Sequence, residues 1–218
     1  LTITTQDEHT RATLKIQEGC NNHCTYCIIP SVRGPIRSRS LDNIREETQR
    51  LVAAGYTELV LTGIHLSSYG KDLGDGSTLL DAIRAVHEVE GVQRIRLGSL
   101  EPTIATEAFS RALAAMPKVC PQFHLALQSG SNTVLARMAR RYNMTMYMQA
   151  VENLRAAFPM AAFTTDVLTC FPGETEEEYE ETRQVIRDVG YAKIHVFPYS
   201  PREGTKAAVT PGQLSKAV

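Results

Sequence analysis

Residues 13–30 read TLKIQEGCNNHCTYCIIP. The first five, Thr13 to Gln17, alternate polar and apolar side chains as a half-buried strand does. Gly19 then opens a loop in which Cys20, Cys24 and Cys27 stand with three and then two residues between them. Three soft thiolates on one short loop are within reach of one centre. A structural zinc site takes four closed ligands, whereas a four-iron cubane held by three cysteines keeps one iron open to a small molecule. Zinc remains a second reading, with His23 completing a Cys3His set despite its position beside Cys24. A redox CxxC at Cys24 and Cys27 would leave Cys20 without a role.

Outward from this stretch, short apolar runs separated by amphipathic stretches mark five more strands: Glu58 to Thr62, Arg94 to Leu97, Gln122 to Leu127, Ala162 to Leu168 and Lys193 to Phe197. Helical periodicity fills the intervals at Leu41 to Ala54, Leu79 to Glu90, Ile104 to Met116, Asn132 to Arg141, Met146 to Phe158 and Glu176 to Val189. Thr78 with Asp81 and Thr175 with Glu178 have capping-box spacing, in which hydroxyl and carboxylate satisfy the unpaired amides of a first turn. Strand-helix alternation with long connections predicts an α/β fold, a parallel sheet covered by helices. Periodicity alone does not separate a doubly wound sheet from a partial barrel. Both gather ligand sites at the carboxyl ends of the strands. Those ends carry the cysteine loop, Thr62-Gly63-Ile64-His65, Ser99-Leu100-Glu101-Pro102, Gln128-Ser129-Gly130-Ser131, Thr169-Cys170-Phe171-Pro172-Gly173-Glu174 and Pro198-Tyr199-Ser200. Polar, glycine-rich turns also occur for structural reasons alone.

The 218 residues are 43% hydrophobic, enough for a sizeable core, and 23 basic against 24 acidic side chains leave no overall field for nucleic acid. The five cysteines, with Cys120 and Cys170 far from the cluster of three, do not form a disulfide framework. No apolar run approaches the ~20 residues that span a bilayer, so a soluble, cytoplasmic protein with no membrane partner is expected. The chain starts at Leu1 and stops in Thr-Pro-Gly-Gln-Leu-Ser-Lys, which reads as the first turn of another helix. It therefore reads as a fragment: a linker over residues 1–11, a core over 12–210, and a cut continuation over 211–218.

CxxxCxxC with Tyr26 before the last cysteine, on the loop after the first strand of a six-unit βα chain, resembles the radical S-adenosylmethionine superfamily. The resemblance implies a partial (β/α)6 TIM-like barrel and a [4Fe-4S] cluster whose unique iron binds the amino and carboxylate groups of S-adenosylmethionine. An electron from the cluster would split the sulfonium to methionine and a 5′-deoxyadenosyl radical. EGCNNHCTYCIIPSVRGPIRSR, LTGIHLSSYGKDL, RIRLGSLEP, HLALQSGSNTVLARMARRYN, TTDVLTCFPGETEEEYEET and HVFPYSPREGT together resemble the methylthiotransferases, which turn C–H into C–SCH3. Within them, TGIHLSSYGKDL and RLGSLEP are similar to the bacterial subgroup that modifies N6-threonylcarbamoyladenosine beside the tRNA anticodon. The subgroups acting on isopentenyladenosine or on a ribosomal protein usually read differently there.

On this resemblance Cys20, Cys24 and Cys27 are the cluster ligands and Tyr26 lies against the adenine. Thr62 and Gly63 take the place that contacts the methionine amino group, Gln128 and Ser129 the ribose position, and the strand at Asp166 to Phe171 borders the adenine. Val196 and Phe197 close the pocket. Two departures stand out: Cys170 where the family usually has glycine, and Gly98 where serine is common. A ligand role for Cys120 or Cys170 is disfavoured, because lone buried cysteines behave as small hydrophobes. Arg33, Arg37, Arg39, Arg137, Arg140 and Arg141 are expected on the rim, holding tRNA phosphates or, at Arg140 and Arg141, forming a solvated helix end. The family carries a second [4Fe-4S] cluster on an amino-terminal domain and an RNA-binding domain at the other end, neither on this chain. The fragment is thus expected to bind one cluster and cleave S-adenosylmethionine but not to complete sulfur insertion. The sulfur source and electron donor are unidentified. A zinc-stabilised RNA-binding module without catalysis is the non-enzymatic alternative.

Overall fold

The computed structural model describes residues 10–214. Six parallel strands form one arc: β1 (Ala12–Glu18), β3 (Glu58–Gly63), β4 (Arg94–Leu97), β5 (Gln122–His124), β6 (Ala162–Thr169) and β7 (Lys193–Pro198). The first half is ordered β2-β1-β3-β4, where β2 (Arg37–Ser38) is a short antiparallel edge, and the second is ordered β5-β6-β7. Single bridges at Ile95 with Val119 and Leu100 with Leu125 join the halves. The sheet does not close, so the architecture is the partial barrel among the two expected.

The helices form where the apolar period is 3.6. Helix α2 (Leu41–Ala53) buries Ile44, Thr48 and Leu51, and Ser40 caps it by accepting from the Asn43 amide. Helices α3 (Leu79–His87), α4 (Glu107–Ala114), α6 (Met144–Ala157) and α7 (Glu176–Val189) cover the rest of the outer face. Both expected capping boxes are present: the Asp81 carboxylate accepts from the Thr78 amide at 2.9 Å, and Glu178 from the Thr175 amide at 3.0 Å. Alternate strand positions such as Leu14, Ile16, Leu59, Leu61, Ile95, Phe123 and Phe163 lie against these helices with at most 2% exposure. The opposite face is polar: Glu58 accepts from Arg94 Nε at 2.9 Å and from Arg96 Nε at 2.6 Å, and His124 Nε2 lies 3.3 Å from Asp166.

Several boundaries differ from the periodic reading: α3 ends at His87 and not Glu90, and α4 spans Glu107–Ala114 within the expected Ile104 to Met116. A five-residue helix α1 (Ile29–Arg33) and strand β2 follow the cysteine loop, both too short to show a period. Regular β5 pairing ends at His124, after which the chain keeps only the bridges at Leu125 and Gln128. The helix expected to reach Arg141 stops as α5 (Asn132–Arg137), because Ala139 turns left-handed at φ 55°. Helix α6 then starts two residues earlier than expected, with Asn143 accepting from the Met146 amide at 3.0 Å. Residues 211–214 are not helical, while residues 1–9 of the expected linker and 215–218 of the expected continuation lie outside the described residues. Among the described residues, no helix is long and apolar enough to cross a membrane.

Candidate metal centre

The cysteine loop begins where β1 ends. Gly19 has φ 71°, and a Cβ there would stand 1.9 Å from the Pro35 carbonyl oxygen, so only glycine lets the two backbones approach. The Cys20 amide donates to Gly34 at 3.1 Å, and the Cys27 amide closes a turn onto Cys24 at 3.0 Å. Gln17 fastens this loop to the next one: its amide donates to the Glu18 and Gly19 carbonyls at 2.7 Å, and its oxygen accepts from the His65 amide at 2.8 Å. Across the mouth, the Thr25 amide donates to Met138 at 3.0 Å and the Ala207 amide to Thr25 at 2.8 Å. Four distant segments thereby hold one loop.

All three cysteines are free and half-buried. Burial pushes the Cys20 and Cys27 thiols up, and their proximity to the Cys24 sulfur adds to it. Two N–H donors point at sulfur: the Asn22 amide at Cys20 Sγ, 3.4 Å, and Arg140 Nη1 at Cys24 Sγ, 3.3 Å. Among the described residues, no three or more His, Cys, Asp or Glu side chains form a ready chelate for one metal ion. A cubane cluster asks for something else, because each cysteine takes its own iron. Three uncrosslinked thiols at the mouth, two of them facing N–H donors, fit that group.

A buried polar network continues from the loop. Glu101, 6% exposed, accepts from His65 Nε2 at 3.0 Å and from Asn22 Nδ2 at 3.5 Å, and forms an ion pair with Arg140 Nη2 at 3.2 Å. Burial works against its charge, yet these donors hold the carboxyl below the ordinary glutamate range. The side chain of Arg140 is 10% exposed and lies over the Tyr142 ring, its guanidinium carbon 4.9 Å from the centroid.

The structure sorts the sequence-predicted residues. Tyr26 leaves the loop to pack edge-on against Phe171, centroids 6.3 Å apart, and burial raises its hydroxyl pKa. Thr62 and Gly63 end β3 beside Lys15 and Gln17 of β1. Gln128 bridges Val167 with φ 65°, a left-handed conformation unusual for its type. Ser129 is fully buried, with its hydroxyl 3.2 Å from that of Thr182, inside the packing against α7. Asp166 faces His124. Val196 and Phe197 are 58% and 51% exposed on edge strand β7, which leaves them uncovered.

The arginines also divide. Arg33, Arg37 and Arg141 are exposed on the rim. Arg39 is committed to the buried Glu47, Arg137 to Glu178 through two bonds, and Arg140 to Glu101 and Cys24, so these three are structural ties and not a solvated surface. For Arg140 neither a rim contact nor a solvated helix end holds: the turn at Ala139 swings it inward. Cys120 lies before β5, at the opposite end of the barrel from the loop, and Cys170 sits at φ 58°, in the place that favours glycine. Gly98 leaves 3.2 Å between an added Cβ and the Leu61 oxygen, so serine there would be tight. Sequence reading missed Gln17 and Glu101 as site residues and took Arg140 for a rim or solvated residue; polar side chains inside strand and SLEP patterns were the signal. A separate groove of about 840 Å³, lined by residues such as Tyr69, Leu79, Ile104 and Phe109, shares none of these groups.

Comparison with known proteins places this geometry. The profile of the radical SAM superfamily matches residues 14–186, and the chain belongs to that superfamily. It is 46% identical over 211 residues to the threonylcarbamoyladenosine tRNA methylthiotransferase MtaB of Bacillus subtilis, covering 97% of this chain and 47% of that protein. It is 44% identical over 210 residues to the tRNA-2-methylthio-N(6)-dimethylallyladenosine synthase of a Parafrankia species, covering 96% and 42%. The chain thus spans under half the length of these relatives. Among solved structures, the radical S-adenosylmethionine methyltransferase TsrM of Kitasatospora setae, with cobalamin and a [4Fe-4S] cluster bound, superposes with a TM-score of 0.75 at 16% identity over 91% of this chain and 36% of that one. Methylornithine synthase gives 0.65 at 14% identity over 93% and 57%. These two likenesses concern the fold.

Proposed function

We propose that this member of the radical SAM superfamily is the catalytic core of a tRNA methylthiotransferase acting at C2 of N6-threonylcarbamoyladenosine beside the anticodon. The observation that carries the reading is the cysteine loop: three free thiols, two facing N–H donors, at the mouth of an open parallel barrel. Cys20, Cys24 and Cys27 would hold a [4Fe-4S] cluster, leaving one iron for S-adenosylmethionine. What such a cluster supplies, when reduced, is the electron that splits the sulfonium to methionine and a 5′-deoxyadenosyl radical, which takes hydrogen from the base. The chain's own residues hold the loop through Gln17 and Gly19, shield it with Tyr26 and Phe171, and line its side with His65, Glu101 and Arg140. Thr62, Gly63, Gln128 and Asp166 edge the mouth and are proposed to contact the cofactor, with Gln128 doing so from a strained backbone. Ser129 would act through the backbone it anchors, and Val196 and Phe197 would close the pocket once the open edge is covered.

Relatives of both base specificities match at nearly equal identity. What supports threonylcarbamoyladenosine over the dimethylallyl substrate is the pair of loop motifs TGIHLSSYGKDL and RLGSLEP. Exposed Arg33, Arg37 and Arg141 are proposed to take tRNA phosphates, positioning RNA without reading it. The whole reaction, its sulfur and electron sources, and a second cluster would belong to the longer protein in the cytoplasm.

The test is anaerobic reconstitution followed by iron and sulfide counts and an assay of 5′-deoxyadenosine release. About four irons and four sulfides, lost when the three cysteines are replaced by alanine, are expected. One zinc and no sulfide would replace this reading with the RNA-binding module. Nucleoside mass spectrometry of a strain lacking the gene then separates the substrates: 2-methylthio should vanish from threonylcarbamoyladenosine and persist on dimethylallyladenosine.

A further inference from the structure

The cofactor reading gives Arg140, whose side chain is 10% exposed, only a lining place beside the loop. Its placement is over-determined. Ala139 spends a left-handed conformation, φ 55°, to turn the chain inward after α5. Tyr142 then accepts from Arg140 Nε at 3.2 Å while donating to the Ala126 and Leu127 carbonyls at 2.9 and 2.8 Å, and its ring lies under the guanidinium. Glu101 takes Nη2 at 3.2 Å and is itself fixed by His65, and its amide donates to Ser67 Oγ at 2.9 Å. Held in this way, Nη1 reaches Cys24 Sγ at 3.3 Å, and the Tyr26 hydroxyl also lies beside the guanidinium.

We propose that Arg140 sets the reduction potential of the cluster by donating to the Cys24 sulfur, a positioning role that rests on the cluster reading above. Adding an electron to a [4Fe-4S] centre adds negative charge that spreads onto the thiolate sulfurs, and an N–H donor with a fixed positive charge stabilises that reduced state. The Arg140–Glu101 pair is neutral as a whole, but its positive end touches sulfur and its negative end is turned toward His65. In a site shielded from water that orientation counts for more than the net charge. The arginine therefore eases reduction, and Glu101, His65 and Tyr142 keep it aimed.

The experiment measures the cluster's midpoint potential by redox titration with electron paramagnetic resonance, without S-adenosylmethionine, in the wild-type chain, Arg140→Gln and Arg140→Lys. Glutamine should move the potential to a more negative value, and lysine, which keeps the charge but loses the fork, should move it less. Wild-type protein grown on 15N-arginine should show a weak nitrogen coupling to the reduced cluster that Arg140→Lys lacks. An unchanged potential in Arg140→Gln with full iron and sulfide overturns the inference. If that variant does not load a cluster, absence of the 15N coupling in wild type overturns it instead. A wild-type chain that binds no iron and sulfide at all would sink the cluster reading itself, a different failure.

Discussion

Two hydrophobic units in this molecule are built on different plans. The main core packs strand side chains such as Leu14, Leu59, Ile95 and Phe123 against the covering helices, with Phe123 5.1 Å from the Phe158 ring and 6.3 Å from that of Phe163. The second is small: Val134, Met138, Phe171 and Ala207, joined by Tyr26, Leu168 and Tyr199. Its members come from the cysteine loop, α5, the end of β6, the residue after β7 and the final turn. Phe171 ties them together, edge-on to Tyr26 and 5.5 Å from Tyr199. The first unit belongs to regular elements, and many neighbours share the load. The second joins loop residues to α5 and the end of β6 and rests on a few contacts plus single hydrogen bonds. Fold stability and the geometry of the cysteine loop are therefore separable.

Substitutions should expose that separation. Phe123→Ala removes a fully buried ring from the main core and should cost about 3–5 kcal/mol in denaturant unfolding. A loss confined to iron binding, with unfolding unchanged, would break the distinction. Gly19→Ala acts on the other side: the clash with Pro35 and the left-handed backbone should cost roughly 2 kcal/mol while abolishing iron and sulfide binding after reconstitution. Retained cluster content would show that the loop tolerates the shift.

The tie between α5 and α7 is electrostatic and sets a pH dependence. Arg137, through two bonds, and Thr133 hold the Glu178 carboxyl down to about 2, against an opposing contribution from burial. Because the folded-state pKa is depressed, the stabilisation is fully present above the ordinary glutamate range and is lost as pH falls through it toward about 2. Glu178→Gln should remove that slope and lower stability at neutral pH by about 1 kcal/mol, a charge-assisted bond discounted for the partial exposure of Arg137. Urea melts of both proteins between pH 5 and pH 2 (roughly the span of that titration) check it; parallel curves would assign the tie no weight. The smallest effect is expected at Cys170, where φ 58° strains any residue with a Cβ. Cys170→Gly should raise stability by about 0.5 kcal/mol, strain relief offset in part by glycine's unfolded-state freedom, without altering iron content, and a lost cluster would make Cys170 part of the centre.

The two units also differ in how far they could be read in advance. Every strand of the arc was legible as a short apolar run, and in all but β7 its alternate side chains meet a covering helix and must be apolar. The exceptions mark where regular pairing gives way: β5 is shorter because residues 125–128 exchange only isolated bridges, and α5 ends at Ala139, a residue with no stop signal. At the site, the cysteine motif was legible as a local pattern. Arg140 was not: a basic residue after a helix looks like surface, and its burial depends on Glu101 and Tyr142, which carry no common period with it. The exposure of Phe197 and the burial of Ser129 were not legible for the same reason, since spacing does not show which neighbour covers a residue.

Sequence by itself determined the βα order, the capped starts of α3 and α7, and the three thiols, since each follows from chemistry within a few positions. Tertiary structure alone decided that the sheet stays open, that Gln17 clamps one loop to another, and that a guanidinium is aimed at Cys24. Those outcomes depend on which distant groups share a low-dielectric space, where an unpaired charge or amide is too costly to leave, and proximity of that kind exists only after the chain has folded.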